Sequence, residues 1–227
     1  MLNARIWMNL LKPSLYDFSY LDCRRRSHLL RGEASKLSRN TEVLLDVGGR
    51  GKPYAPLFKD RIHHYYVMDL ESERTVDVVG NAKNMPFRSG SIDVALCTQV
   101  LEHSNEPEAV VAEIWRVLKC GGVLFLSTPG IFPQHGSPGD YFRYMPQGLE
   151  YLLRDFSEID IRPEAGTLAS FFLVFNMYLS MFSAGSSLLQ TLTSWVICPI
   201  TNSLGLLAGK IYRGKQFASN YFVVAIR

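Results

Sequence analysis

Between Val43 and Ile161 the chain alternates short apolar runs with amphipathic helical patterns, and this alternation limits the fold more than any other feature. The runs VLLDV (Val43–Val47), HYYVMDL (His64–Leu70), TVDVV (Thr75–Val79), SIDVALCT (Ser91–Thr98), VLFLSTP (Val123–Pro129) and EIDIRP read as strands, with NYFVVAIR as a last strand at the C-terminus. EPEAVVAEIWRVLKCGG is the clearest helix. Pro107 suits its first turn, and Glu106 and Glu108 suit the positive end of the dipole. Val110, Ile114, Val117 and Leu118 make one apolar face, and Lys119 and Gly121 close the helix. PQGLEYLLRDF is a further helix. Strands joined through helices by short connections predict a mostly parallel sheet with helices on both faces. Ligands bind such sheets beyond the carboxyl ends of the strands, so the residues just after each strand are the functional candidates.

The first strand runs into LLDVGGRGKPY, where Gly48, Gly49 and Gly51 crowd into one turn. Glycine allows positive φ and lets a ligand approach the backbone without meeting a Cβ. Asp46 is placed to orient that loop or to reach a ligand amine. Asp69 closes the second strand, and an acid about 20 residues beyond such a loop suits a grip on ribose hydroxyls. The dinucleotide pattern Gly-x-Gly-x-x-Gly is missing, because Lys52-Pro53 stand where its last glycine belongs. A cofactor without a pyrophosphate fits better, and S-adenosylmethionine is adenosine with an amino-acid tail.

GNAKNMPFRSGSIDVALCTQVLEH and EIWRVLKCGGVLFLSTP add, in order, an Asn-Ala before a Met-Pro-Phe turn, an Ile-Asp-Val, a Leu-Glu-His and an Arg-Val-Leu-Lys-x-Gly-Gly helix exit. From Leu44 to Pro129 this set resembles the class I S-adenosylmethionine-dependent methyltransferases, specifically the type 11 family. The resemblance implies a Rossmann-like α/β fold with a mostly parallel seven-stranded sheet, an apolar helical insertion here preceding its last strand. It implies methyl transfer, with S-adenosylmethionine as cofactor; the insertion itself departs from the family, whose members usually join the sixth and seventh strands by a short hairpin. Asp46, Gly48, Gly49 and Gly51 would line the methionine tail, Asp69 would hold the ribose, and Asn81 with Ala82 would meet the adenine. Thr98 and Gln99 would cover the sulfonium side. Two residues depart from the family pattern: Asn81 replaces the usual Asp, and Arg50 stands where a loop glycine is normal. The GKPY that follows is similar to members from polysaccharide and glycolipid gene clusters.

A methyl on a sulfonium is already activated, so placement is the main task, and orientation alone supplies about 7–11 kcal/mol of the barrier. A hydroxyl acceptor also needs a base within reach. The loop PGIFPQHGSPGDYFRYMPQGLEYLL offers His135 as that base, with Asp140, Tyr141, Arg143 and Tyr144 as acceptor contacts. In the alternative, His135 and Asp140 brace the loop while Arg143 and Tyr144 cap the next helix. His103 is a second candidate base, or it pins its own loop to the sheet.

From Gly166 to Gly209 there is no Asp, Glu, Lys or Arg, although 20% of the chain is charged. Leu168–Phe182 is apolar on all sides, and Leu188–Gly209 is longer but diluted by Thr, Ser, Asn and Pro199. The options are an interfacial or re-entrant hairpin, a pair of short spanning helices, or a buried homodimer interface. Arg162 before it, and Lys210, Arg213 and Lys215 after it, favour a cytosolic face near anionic lipid. The chain thus divides into an N-terminal helical cap (1–40), a catalytic domain (41–165 with 216–227) and an apolar insertion (166–215). In the cap, Arg24, Arg25 and Arg26 form a basic cluster that suits headgroups, an acidic acceptor or plain solvation.

A net charge of +3 argues against a nucleic-acid clamp, and four scattered cysteines predict no metal site and a reducing compartment. The N-terminus reads as mature sequence, without the sustained apolar run of a cleaved leader. The expected acceptor is a hydroxyl or carboxyl on a sugar or lipid-linked intermediate, met in the cytoplasm at the inner face of the cell membrane. A quinone or lipid acceptor is the second reading. A cofactor-binding assembly partner without catalysis is the third, kept open by Arg50.

Overall fold

The computed structural model describes residues 10–135, 139–212 and 214–227. Residues 1–9, part of the expected N-terminal cap, and the flanking Arg213 lie outside them. Seven strands, β1 (Thr41–Val47), β2 (Ile62–Asp69), β3 (Val78–Val79), β4 (Ile92–Thr98), β5 (Leu118–Pro129), β6 (Glu158–Pro163) and β7 (Asn220–Ile226), form one sheet. Their order is β3-β2-β1-β4-β5-β7-β6. The first five are parallel, and β7 runs antiparallel between β5 and β6.

Helices α1 (Tyr20–Lys36), α2 (Ala55–Phe58), α3 (Pro107–Val117) and α4 (Pro146–Leu152) cover the two faces. Successive strand residues point to opposite sides, so each strand feeds two cores. Leu45, Val47, Ala95 and Cys97 pack with Val110, Ile114 and Val117 of α3. Leu44, Val94 and Leu96 pack with Leu29, Leu30 and Ala34 of α1.

Two element boundaries differ from the sequence expectation. Helix α3 ends at Val117, and Leu118 and Lys119 already belong to β5, because Leu118 pairs with Ile92 in the sheet and is fully buried there. The third strand shrinks to Val78–Val79. Its expected start is drawn into a turn where the Asp77 carboxylate accepts from the Val67 N–H and pairs with Lys52.

Between β6 and β7 the chain forms α5 (Thr167–Ser183), α6 (Ser187–Leu192), a π-helical turn (Thr193–Ile197) and α7 (Cys198–Ile211). The last three make one continuous helix of 25 residues, long and apolar enough to cross a membrane by length and composition. The wider π turn directly precedes Pro199, whose ring and missing N–H would otherwise break the helix. The seam between α5 and α7 carries a buried polar cluster beside apolar contacts of Ala169, Leu173 and Met177. Asn176 donates to Asn202 at 3.0 Å, Thr201 donates to Asn176, and Asn202 donates to the carbonyls of Leu15 and Asp17. Phe171, Phe175, Phe182, Trp195 and Leu207 point outward, Phe182 being 82% exposed. Leu168–Phe182 is therefore two-sided after all: Ala169, Ser170, Leu173, Asn176 and Met177 are buried, while Phe171, Phe175, Tyr178 and Phe182 are exposed.

Candidate active site

The parallel strands deliver the candidate residues to one edge of the sheet. β1 ends in the glycine turn, β2 ends at Asp69, β4 runs into a 3-10 turn (Leu101–His103), and β5 leads to the loop that reaches Tyr144. In the glycine turn Gly48 has φ +73° and Gly51 has φ +76°. A side chain at 48 would strike Val100, and one at 49 would overlap the Asp46 carboxylate, whereas Gly51 has open space beside it. Gly48 and Gly49 thus serve the packing of the turn, and Gly51 presents the bare backbone. Arg50 is not in the left-handed region, so it occupies the turn without breaking it.

Asp46 is fully buried beneath this turn. Its Oδ2 accepts from the Tyr65 hydroxyl at 2.5 Å, while its Oδ1 has no hydrogen-bond partner among the described residues. Burial pushes its pKa up to about 7 against the pull of Tyr65. An orphaned carboxylate oxygen under a bare glycine turn, with Asp69 close by, is a set of groups that fits the amino-acid tail and ribose of S-adenosylmethionine. Gly51 N–H donates to Thr75 Oγ1 at 2.9 Å, which ties the turn to the chain beyond β2.

Asp69 is already engaged. Arg50 Nε lies 3.0 Å from its Oδ2, and the Glu71 N–H donates to its Oδ1 at 3.2 Å. Arg50 also reaches Glu71 at 2.8 Å and Glu73 at 3.4 Å. A ribose approaching Asp69 must share or displace this guanidinium. A half-exposed pair of this kind is worth about 0.2–1 kcal/mol, so Arg50→Ala should tighten S-adenosylhomocysteine about two- to fivefold in calorimetric titration. Weaker binding would instead make Arg50 a cofactor contact.

The remaining cofactor candidates are spread more loosely. Asn81 is exposed, and the oxygen expected to meet adenine accepts from the Lys83 N–H at 2.9 Å. Ala82 packs against the main core. Thr98 ends β4 half-buried. Gln99, at φ +56°, turns its amide inward to Ser127 and Asn220, both at 3.1 Å. Its side chain is thus spent on the fold and not on the sulfonium side.

The loop after β5 corrects several expectations. Arg143 grips both oxygens of Asp140 and donates to the carbonyls of Phe132 and Pro133 at 2.8 and 2.9 Å. Asp140 also accepts from the His135 N–H at 2.8 Å, and its pKa is lowered to about 2, mainly by Arg143. These two residues brace the loop and leave little to offer an acceptor. Tyr144 is buried in the main core with its hydroxyl on the Leu101 carbonyl at 3.1 Å, so it is a packing residue. Tyr141 stays open, 57% exposed.

His135 and His103 come together, with ring centres 5.2 Å apart, and Phe132 lies against His135 at 4.8 Å. Burial holds the His135 imidazole below its ordinary pKa, opposed by Asp140. Glu102, which the sequence reading passed over, has its Oε1 3.9 Å from His135 Nε2. It is fully buried, and burial pushes its carboxyl up to about 8. Its one sequence signal was an ionisable residue directly after a strand at the ligand edge.

Residues 45–126 match the type 11 methyltransferase family, described as "Methyltransferase domain". A ubiquinone biosynthesis O-methyltransferase of Pseudomonas aeruginosa is 31% identical over 100 residues, 44% of this chain and 39% of the relative. An uncharacterized methyltransferase of Mycolicibacterium gilvum is 32% identical over 111 residues, 44% of this chain and 43% of the relative. The chain thus spans about two fifths of the length of the curated relatives it matches. Among solved structures, a SAM-dependent methyltransferase from Archaeoglobus fulgidus superposes with TM-score 0.56 at 11% identity, covering 98% of this chain and 99% of that one. The [4+2]-cyclase SpnF superposes with TM-score 0.55 at 16% identity, covering 88% and 80%. These likenesses establish the class I methyltransferase fold, and the cyclase shows that this fold by itself does not fix the reaction.

Proposed function

We propose that this chain, whose residues 45–126 carry a class I methyltransferase domain, is an S-adenosylmethionine-dependent methyltransferase acting on a hydroxyl of a lipid-linked acceptor at the membrane surface. The observation that carries the reading is the glycine turn over the orphaned Asp46 oxygen, with Asp69 at the next strand end, inside the matched segment. When bound, the cofactor supplies a methyl group already activated on sulfur. Asp46 and the bare backbone of Gly51 would hold its amino-acid tail, and Asp69 would hold its ribose. The loop braced by Asp140 and Arg143 sets His135 beside the end of β4, where it takes the acceptor's proton.

Within this reading the relatives named for ubiquinone biosynthesis favour a quinol-type phenol carrying an isoprenoid. A lipid-linked sugar is the other member of the class. Incubating the protein with membranes and methyl-labelled cofactor separates them. Label in an isoprenoid quinone fraction supports the phenol, and label released with glycan by mild acid supports the sugar. No transfer at all would leave a cofactor-binding assembly protein. His135→Ala should lower turnover by about 100-fold or more while S-adenosylhomocysteine affinity stays unchanged. Unchanged turnover would remove His135 from the mechanism.

The membrane part of the proposal rests on the exposed apolar side chains of the helical pair. Asn176, Thr201 and Asn202 are buried at the seam while Phe171, Phe175, Phe182 and Leu207 stay exposed, in a stretch without charge, and Lys210 and Lys215 follow it. The hold of Asn202 on Leu15 and Asp17 supports a pair that lies on the bilayer with one face in lipid over one that spans it. The protein should co-sediment with vesicles containing anionic lipid. Changing Phe175, Phe182 and Leu207 together to Asp should lower the bound fraction at least about tenfold, since each ring or branched chain contributes about 1.5–3 kcal/mol when buried. A triple variant that still sediments would move the contact elsewhere.

A further inference from the structure

The turn after β4 and the loop after β5 bring three metal-ligating side chains into one place. Glu102, His103 and His135 each offer one ligand atom, and these atoms lie within 4.8 Å of one another. Both Glu102 oxygens are buried without a hydrogen-bond partner among the described residues. A buried carboxylate is costly unless it is paired, hydrogen-bonded or bound to a cation. His135 Nε2 lies 3.9 Å from its Oε1, too far for a hydrogen bond yet within the span that one bridging ion closes.

The histidines are set up for the same ligand. His103 Nδ1 lies 2.6 Å from the Gly139 carbonyl, which can only accept, so Nδ1 carries the proton and Nε2 keeps its lone pair. An imidazole bound through one nitrogen and anchored to a carbonyl through the other is how proteins orient metal-binding histidines. His135 is held by its backbone N–H on Asp140, with Asp140 Oδ2 also 3.6 Å from its Nδ1.

We propose that Glu102, His103 and His135 form a binding site for a divalent transition-metal ion of the zinc type. Two imidazoles and one carboxylate suit zinc or cobalt, whereas magnesium and calcium favour all-oxygen shells. Asp140 does not supply a fourth ligand, because Arg143 and the His135 N–H take its oxygens. The fourth position is left to a water or an acceptor oxygen, as in catalytic sites. The role of the ion rests on the methyl-transfer reading: it would hold the acceptor oxygen and lower its pKa so that its proton leaves to solvent water, with His135 serving as ligand in place of base. Binding of the ion does not rest on that reading. No ligand spacing marks these residues in the sequence, since only the pairing of β4 with β5 brings residue 135 back to residues 102 and 103.

The test is titration of chelator-stripped full-length protein with Co²⁺, followed by its visible d–d absorption, and with Zn²⁺ in a calorimeter. Wild type should take up one ion per chain and show the intense absorption of a four-coordinate cobalt site. Glu102→Gln, which keeps the side chain's shape, and His103→Ala should each weaken binding at least about tenfold. The absence of cobalt absorption and zinc heat in folded wild type would overturn the site. Equal affinity in both variants would also overturn it, placing the ion elsewhere. S-adenosylhomocysteine titrated into the same stripped protein keeps the two questions apart, because cofactor binding should survive removal of the metal.

Discussion

Replacing Asp69 with Ala should abolish cofactor binding at concentrations where the wild type saturates. A carboxylate accepting two ribose hydroxyls makes charge-assisted hydrogen bonds worth about 1.5–3 kcal/mol each, so S-adenosylhomocysteine should bind at least about 100-fold more weakly. Asp69 sits at the end of β2 and is 8% exposed, which limits the room for water to take its place. In the wild type Arg50 competes for the same carboxylate, so the loss in Asp69→Ala should exceed the gain in Arg50→Ala. The check is calorimetric titration of both variants beside a thermal melt that reports folding. Affinity within about threefold of wild type would remove Asp69 from the ribose site and leave the glycine turn to carry the cofactor without it.

The largest loss of stability is expected from Arg26→Ala. Arg26 and Glu164 form a buried two-pronged ion pair, Nε to Oε1 and Nη2 to Oε2 both at 2.8 Å, with side-chain exposures of 7% and 0%. Ser127 Oγ also donates to Glu164 at 2.5 Å. Beside the pair, Asp22 accepts from Ser219 at 2.7 Å and from Asn220, which in turn accepts from Gln99. This network ties α1 to β5, β7 and the end of β6. Removing Arg26 leaves a carboxylate buried without its cation, which costs about 3–5 kcal/mol. Urea unfolding should show the midpoint falling with the slope unchanged. The double change Arg26→Met with Glu164→Leu should recover most of the loss, since an apolar pair of similar volume replaces a buried ion pair at little cost. A single-variant loss below about 1 kcal/mol would mean that water reaches Glu164.

These two residues mark different depths of what a sequence discloses. The place of Asp69 at the end of β2 was legible because its signal is local: an apolar run ends, an acid follows, and a glycine turn precedes it at the usual interval. The strands were legible for the same reason, with β1, β2 and β4 found within a residue or two of their ends. Helix α3 was legible from its apolar face but not at its exit, where pairing of Leu118 with Ile92 outweighed the helix-ending signal of Lys119 and Gly121. Arg26 was not legible. In Arg24-Arg25-Arg26 the three residues are chemically alike, and only the packing of α1 on the sheet sends one inward to Glu164. Tyr144 and Arg143 resembled binding residues in a polar loop, yet the core takes the first and Asp140 the second.

The sequence by itself determined the alternating strands, the glycine turn with its flanking acids, and the uncharged stretch before the last strand. Each follows from backbone preference or from the water-aversion of neighbouring residues, both of which act over a few positions. The tertiary structure alone decided which charges are buried together, that Asn176, Thr201 and Asn202 meet inside the α5–α7 pair, and that Glu102, His103 and His135 meet. Those outcomes depend on which strands and helices become neighbours. A buried charge or an orphaned carboxylate takes its energy from groups far away in sequence.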